Sequence, residues 1–413
     1  MTPREVGLVV PPAAGGILAH ARSLVTRLPA LGWEVRVCAP PAVLAQLAVS
    51  AQPAGDAQPA GADLLAGHDG RLASGVRLVA VRWPTGPTHP LAAAAARGDL
   101  RRALRGVDAV SAQGLRAGAA VLAAGRATAL VVTWHNPPPG AARSGPWRPV
   151  VERARERATG LAVRRVARGA ALTLAASADL LDMARAAGAR EARLLEVAAP
   201  ATLPGDPARA RAIREALGLD GRLLVLSVGR LADQKDHATA VAAVARLAAR
   251  TGRPPVLAIA GEGPERGRLT ALAAGSGVAL HLLGERRDVG DLLLAADVAL
   301  ICSRWEARSL YAQEALRAGL PLVATAVGGL PGLVGDAALL VPRGGRAGRS
   351  EPTRGEPPEL PAAIAAALAR VLDDPAPAAA LSAAGRRRAG GWPDEDATAR
   401  AVAAALERAL GVA

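Results

Sequence analysis

The sequence predicts an α/β protein made of two doubly wound, Rossmann-like domains with mainly parallel sheets. Three observations carry this. Short apolar runs of strand length alternate with stretches of helical period, and the alternation restarts after a proline-rich segment. The chain, at 413 residues, is also long enough for two domains of about 200 residues each.

In the first half, VGLVV (6–10) reads as a short buried strand that ends before the Gly15-Gly16 turn. A helix is predicted over 17–31, with Leu18, Ala21, Leu24, Val25 and Leu28 on one face. Gly32 stops it, and WEVRVCA (33–39) is the second strand. Further strands are predicted at 76–81, 107–112, 129–134 and 171–177, while 51–75 reads as a low-complexity loop. The segment 197–210, VAAPATLPGDPARA, is the expected interdomain linker. Beyond it come strands at 222–229, 255–263, 278–284, 297–303, 321–329 and 337–342, with helices at 236–250, from 264, and near 310–318. Residues 343–360 read as a flexible excursion. The expected domains are therefore 1–198 and 199–385, with 386–413 carrying a terminal helix (394–410) that packs back towards the first domain. Sheets of this kind bind ligands beyond the strand carboxyl ends, so a cleft between the two facing domains is the expected site.

Composition narrows the function classes. Aromatics are 2% with no Phe, so the cores must be Ala, Val and Leu. The Ala, Arg, Gly and Pro skew is that of a GC-rich genome, which makes the +14 charge a weak signal of any one partner. No aromatics interleave with a basic stripe, so nucleic acid is not expected. Cys38 and Cys302 each end an apolar run and read as buried free thiols in a reducing compartment. No leader or membrane span is predicted, and a cytoplasmic location is expected. WRPVVERARERATGLAVRRVARG, from 147, is helical in pattern and rich in arginine; it reads either as a solvated helix or as a peripheral contact with an anionic membrane.

Four stretches carry chemistry. Gly15-Gly16 opens a helix whose first amides suit a phosphate, although a plain turn has the same spelling. In VGRLADQK (228–235), Arg230 and Lys235 occupy the loop after a strand, and Lys235 is the single lysine among fifty basic residues. A guanidinium forks two phosphate oxygens, whereas an ammonium is a compact point charge for one oxygen in a tight space. Glu306 and Glu314 lie eight apart on one strand-loop-helix unit, as acceptors for sugar hydroxyls; Glu314 sits in an otherwise apolar stretch and needs partners. His135, beside the single asparagine Asn136, follows a strand end, where it can donate to a sugar or phosphate oxygen or simply cap a loop.

Taken in order, GGILAHARSLVTRLPALGWEVRV, VGRLADQK, AGEGPE, LLGERRDVGDLLLAADVALICSRWE and GLPLVATAVGGLPGLV resemble the retaining glycosyltransferases of family 4, over nearly the whole chain. The resemblance implies the two-domain GT-B fold, with acceptor side first and donor side second. It implies transfer from a nucleotide-diphosphate sugar (UDP- or GDP-sugar) with retained configuration, usually without bound metal or any tightly bound cofactor. The acceptor would be a sugar, a lipid-linked group or a small molecule. By position, Gly15, Gly16 and Gly229 would line the donor, Arg230 and Lys235 clamp its diphosphate, Glu314 hold the ribose, Glu306 contact sugar hydroxyls, and His135 lie near sugar and acceptor. Where the family commonly has Glu-Gly-Phe-Gly-Leu, this chain has Glu306-Ala307-Arg308-Ser309-Leu310, whose amides would face the phosphates. The usual Asn-Gly after the first domain is absent, and the occasional His-x-His reads Ser111-Ala112-Gln113. A nucleotide-sugar epimerase and a non-catalytic nucleotide-sugar-binding protein are the competing readings.

Overall fold

A computed structural model describes residues 4–13, 15–48, 70–72, 75–83, 90–125, 129–138, 150–202, 204–250, 254–343 and 359–412. The low-complexity stretch 51–75 and the excursion 343–360 fall almost wholly outside these residues. The chain divides into two compact units, one made of 1–198 with 393–413 and the other of 199–392.

The first unit begins with β1 (Arg4–Val9), α1 (Gly16–Arg27), β2 (Trp33–Ala39), α2 (Pro41–Ala48), β3 (Gly70–Leu72) and β4 (Val76–Ala80). It continues with α3 (Pro90–Ala103), β5 (Ala109–Gln113), α4 (Leu115–Ala123), β6 (Leu130–Trp134), α5 (Val150–Gly169), β7 (Leu172–Ala175), α6 (Ala178–Ala186) and β8 (Ala192–Leu194). Its sheet runs β3-β4-β2-β1-β5-β6-β7-β8, parallel except for β3 against β4. On β1, Val6 is in register with Val35 of β2 on one side and Ala109 of β5 on the other.

The second unit comprises α7 (Pro207–Ala216), β9 (Leu224–Val228), α8 (His237–Ala248), β10 (Val256–Ala260), α9 (Arg266–Ser276), β11 (Leu280–Gly284), α10 (Val289–Ala295) and β12 (Val298–Ile301). Then follow α11 (Leu310–Ala318), β13 (Leu322–Thr325), α12 (Leu330–Val334), β14 (Leu339–Val341), α13 (Leu360–Leu372) and α14 (Pro375–Gly390). All its strands pair in parallel in the order β11-β10-β9-β12-β13-β14. Both faces are covered, so alternate residues of one strand enter different cores. Leu224 and Leu226 join one cluster with Ala258 and Leu292, and Val225 joins the other with Leu257 and Ile259. Strands buried on both faces read as unbroken apolar runs, which is why they were visible in the sequence. The chain then returns to the first unit through α15 (Glu395–Leu410), which packs against α1 beside β5 and β6.

Several boundaries differ from expectation, three of them as follows. The helix expected over 17–31 ends at Arg27, and Pro29–Leu31 forms a separate 3₁₀ turn, because proline removes an amide and crowds the preceding turn. The expected linker 197–210 already contains the start of α7, where the Asp206 carboxylate accepts from the amides of Ala208 and Arg209 at 2.8 and 2.9 Å. The first strand begins at Arg4 rather than residue 6, pairing Arg4 with Trp33. The arginine-rich segment forms α5 from Val150, and Arg157, Arg164, Arg165 and Arg168 are exposed. Cys38 and Cys302 are buried thiols that form no disulfide among the described residues, and burial pushes the Cys38 thiol up to about 12. No helix among the described residues is long and apolar enough to cross a membrane.

Candidate active site

In the second unit β9 and β12 are neighbours, but β9 leads outward to β10 and β12 leads the opposite way to β13. Where the winding reverses, the connections leave the two strands in opposite directions, and sheets of this kind bind ligands beyond the carboxyl ends at that point. The loop 229–236 and the loop 302–309 meet there. Lys235 Nζ donates to Glu306 Oε1 at 2.6 Å, and the Ser303 hydroxyl donates to the same oxygen at 2.6 Å. The carboxylate side chain is 8% exposed and the lysine 22%. The lysine stem runs against Gly229: a Cβ on that glycine would lie 3.3 Å from Cε and 3.4 Å from Cδ. Arg230 is exposed, and its guanidinium makes no ion pair among the described residues.

A second layer holds these two loops together. Asp236 begins α8 in the left-handed region, φ 49°, which a non-glycine residue adopts only against strain. Its buried carboxylate accepts from Arg343 and faces Arg304 Nη2 at 3.5 Å. Arg343 also donates to the carbonyl of Cys302 at 2.9 Å, so one guanidinium ties the residue after Lys235 to the residue before Ser303. The Arg304 amide donates to the Gln234 carbonyl at 2.8 Å, and the Gln234 side chain donates to the Trp305 carbonyl at 3.0 Å. His237 Nε2 meets the Arg230 carbonyl at 3.2 Å, and burial lowers its pKa to about 4. The imidazole is therefore neutral and supports the Arg230 backbone as a donor.

The helix α11 carries the remaining second-unit candidates. Ser309 caps it, accepting from the Ala312 amide at 3.3 Å, and Tyr311 anchors it to β9 by donating to the Leu226 carbonyl at 2.7 Å. Leu310 is its first residue. Glu314 is half-buried one turn further on. Desolvation raises its pKa to about 7, against the pull of the Thr202 hydroxyl and Arg317. Arg308 lies over the Trp392 ring, 5.9 Å from its centroid, with Arg317 over the same ring at 6.0 Å. The unusual arginine is thus engaged by an aromatic face of its own unit. Gly328, φ +53°, passes so close to the Glu306 carbonyl that a Cβ would stand 2.1 Å away. The neighbouring Gly329 amide donates to that carbonyl at 2.8 Å.

In the first unit the winding reverses between β1 and β5. Gly15 has φ 60°, and it and Gly16 are exposed at the start of α1, where no side chain caps the helix. The free first-turn amides and the helix dipole suit an oxyanion there. His135 follows β6 and is 9% exposed. Its Nε2 meets Gln113 Oε1 at 2.9 Å, and Gln113 Nε2 donates to the Ser111 hydroxyl at 3.0 Å. The buried His20 ring of α1 packs edge-on to it, with centroids 5.3 Å apart. Burial lowers both imidazoles, His20 to about 4 and His135 well below 6.5, with His20 adding to the effect on His135.

The structure therefore gathers Gly229, Arg230, Lys235, Glu306, Arg308, Ser309, Leu310 and Glu314 at one end of the second sheet, and Gly15, Gly16 and His135 at the corresponding end of the first. Sequence reasoning missed Asp236, Arg304 and Arg343, whose partners are remote in the chain, Ser303, three residues before the glutamate it serves, and His20, which hides on the apolar face of α1. The signal for His20 was a polar residue four places after Gly16 amid Leu18, Ala21 and Leu24. Among the described residues, no group of three or more His, Cys, Asp or Glu is placed to hold a metal ion.

Residues 14–195 match the family described as Glycosyltransferase Family 4, and residues 210–388 match Glycosyl transferases group 1. The chain is 33% identical over 215 residues to the 2-deoxystreptamine glucosyltransferase of Streptomyces kanamyceticus, across 50% of this chain and 51% of that protein. The match thus spans about half the length of this curated relative. Among solved structures, sucrose-phosphate synthase from Thermosynechococcus elongatus superposes with a TM-score of 0.74 at 20% identity, covering 99% of this chain and 100% of that one. Anabaena HepE in complex with UDP-glucose superposes at 0.69 and 17% identity, covering 98% and 99%. These likenesses give the second and first units a common GT-B architecture.

Proposed function

We propose, from the premise that this chain belongs to the group 1 glycosyltransferases of family 4 type, that it transfers a sugar from a nucleoside-diphosphate sugar to an acceptor hydroxyl. The observation that carries the proposal is the Lys235–Glu306 pair beside the exposed Arg230 at the switch point of the second sheet. Breaking the bond between the anomeric carbon and the diphosphate leaves the electron pair on a phosphate oxygen. Arg230 and Lys235 stabilise that growing charge from fixed positions, doing the work a divalent ion does elsewhere. Glu314 accepts hydrogen bonds from the ribose hydroxyls, and the amides of Arg308, Ser309 and Leu310 at the start of α11 face the phosphates.

Retention of configuration is part of this reading, and the state of Glu306 supports a route without a covalent intermediate. Glu306 Oε1 already accepts from Lys235 and Ser303, which makes it a poor nucleophile for a covalent intermediate. The acceptor oxygen instead bonds the anomeric carbon on the face the diphosphate leaves, and the acceptor proton passes to the departing phosphate oxygen. In the first unit, Gly15, Gly16 and His135 are assigned to phosphate and sugar oxygens. The names of the relatives, a glucosyltransferase and a protein holding UDP-glucose, support a UDP-sugar as the first donor to try.

The test is a thermal-shift panel of UDP, GDP, ADP and their glucose esters, followed by turnover with the stabilising donor. A ligand bound to the native state raises the midpoint according to RT ln(1 + [L]/Kd). Folded Lys235→Ala and Glu314→Ala variants should lose transfer and donor hydrolysis. Full activity in either would sink the assignment.

A further inference from the structure

We propose that Gln113 is a positioning residue: it fixes the proton of His135 on Nε2 and so presents Nδ1 as a hydrogen-bond acceptor to a sugar hydroxyl. The inference rests on the assignment of His135 to sugar binding and adds the residue that prepares it.

Gln113 ends β5 and is fully buried, and its partner across the sheet is Thr133 of β6, two residues before His135. The amide and the imidazole thus meet at the carboxyl ends of adjacent parallel strands. Ser111 lies two residues earlier on β5, hence on the same face of the sheet. The amide is engaged at both ends, donating to Ser111 Oγ at 3.0 Å and facing His135 Nε2 from Oε1 at 2.9 Å. An amide oxygen can only accept, so the imidazole nitrogen opposite it must carry a hydrogen. A neutral imidazole has one N–H. With it spent on Gln113, Nδ1 holds a lone pair, and it has no partner among the described residues.

The second charge on the ring is opposed from the α1 side. His20 packs edge-on at 5.3 Å and is itself buried; from β5 the ring meets the uncharged Gln113, which is in turn held by Ser111. The arrangement therefore offers a neutral ring of one tautomer. A hydroxyl donating to Nδ1 would come from the donor sugar or from the acceptor.

The experiment uses the full chain labelled with ¹⁵N in its imidazoles, with His135 assigned by its loss in His135→Gln. Two-bond ¹H–¹⁵N spectra should show the Nε2–H tautomer and no titration of His135 between about pH 6 and pH 8. Gln113→Ala and Ser111→Ala should populate both tautomers. Gln113→Glu should raise the His135 midpoint by about 1–3 pH units, as a facing carboxylate does. An Nδ1–H tautomer in the parent protein, or an unchanged tautomer in Gln113→Ala, overturns the proposal. These readouts need no substrate, so they stand or fall apart from glycosyl transfer. Binding of UDP and of UDP-glucose to Gln113→Glu then separates the two hydroxyl sources. A lost preference for UDP-glucose assigns the hydroxyl to the donor, and an unchanged preference assigns it to the acceptor.

Discussion

Lys235 shows what one residue contributes. Its stem follows the bare backbone of Gly229, and its ammonium reaches an oxygen 2.6 Å away. Arginine keeps the charge but brings a planar fork that this passage does not fit, so Lys235→Arg should keep the fold and lose transfer by roughly 10–100-fold, read from kcat with the preferred donor. Glu314 adds a pH signature. Its pKa is raised to about 7, and in the role proposed for it the ionised form is the one that accepts from ribose hydroxyls. Nucleotide affinity should therefore rise about tenfold between pH 6 and pH 8, and Glu314→Gln should flatten that profile in calorimetric titrations. Lys235 was legible because the composition made it conspicuous. Asp236 was not: nothing in its spelling announces a positive φ, and the arginines that hold it come from 68 and 107 residues further on.

At the scale of elements, the local signals were strongest where capping and period agree. The helix expected near 310–318 runs Leu310–Ala318, stopped by the left-handed Gly319. Strands came out shorter than their apolar runs, because the residues past each last pair turn away to build loops. That is the case for 222–229, where pairing is confined to Leu224–Val228 and Gly229 already belongs to the lysine's path. The pairing of the two loops was illegible, since Arg304 and Gln234 have no common signal until β9 and β12 are adjacent. Caps can be tested alone. Asp394 starts α15 by accepting from the Ala397 amide at 2.6 Å, so Asp394→Ala should cost about 1 kcal/mol, measured as a lowered denaturation midpoint of the first unit.

For the whole molecule, the alternation of strands and helices and its restart were enough to foresee two doubly wound sheets, while the buried titratable groups within each were not. The units should respond differently to acid. His20 and His237 are held at about 4, below their unfolded value of 6.5, so the unfolded chain takes up their protons first and stability falls as pH drops from 6.5 towards 4. Each contributes on the order of 2–3 kcal/mol over that range. Glu314 works the other way: raised from 4.5 to about 7, it favours the folded state increasingly as pH falls through that window. In the second unit it offsets His237, whereas in the first His135 adds to His20. Hydrogen exchange at pH 7 and pH 5, corrected for intrinsic rates, should show protection lost mainly from β1, β5, β6 and α1. Equal losses in both units would contradict this balance.

The return of α15 to the first unit has a consequence for biosynthesis. Its Thr398 hydroxyl donates to the Glu196 carbonyl at 3.0 Å and its Arg408 meets Glu191 at 2.8 Å, while Glu395 and Asp396 hold Arg27. Val402 and Leu406, fully buried, close the same face. A ribosome delivers these residues only after every strand of the second unit. The first sheet must therefore wait, with an apolar flank uncovered, while the segment inserted between its two portions is made and folds. The unit begun before the other is completed after it, and the nascent chain is exposed to chaperones and proteases through that interval.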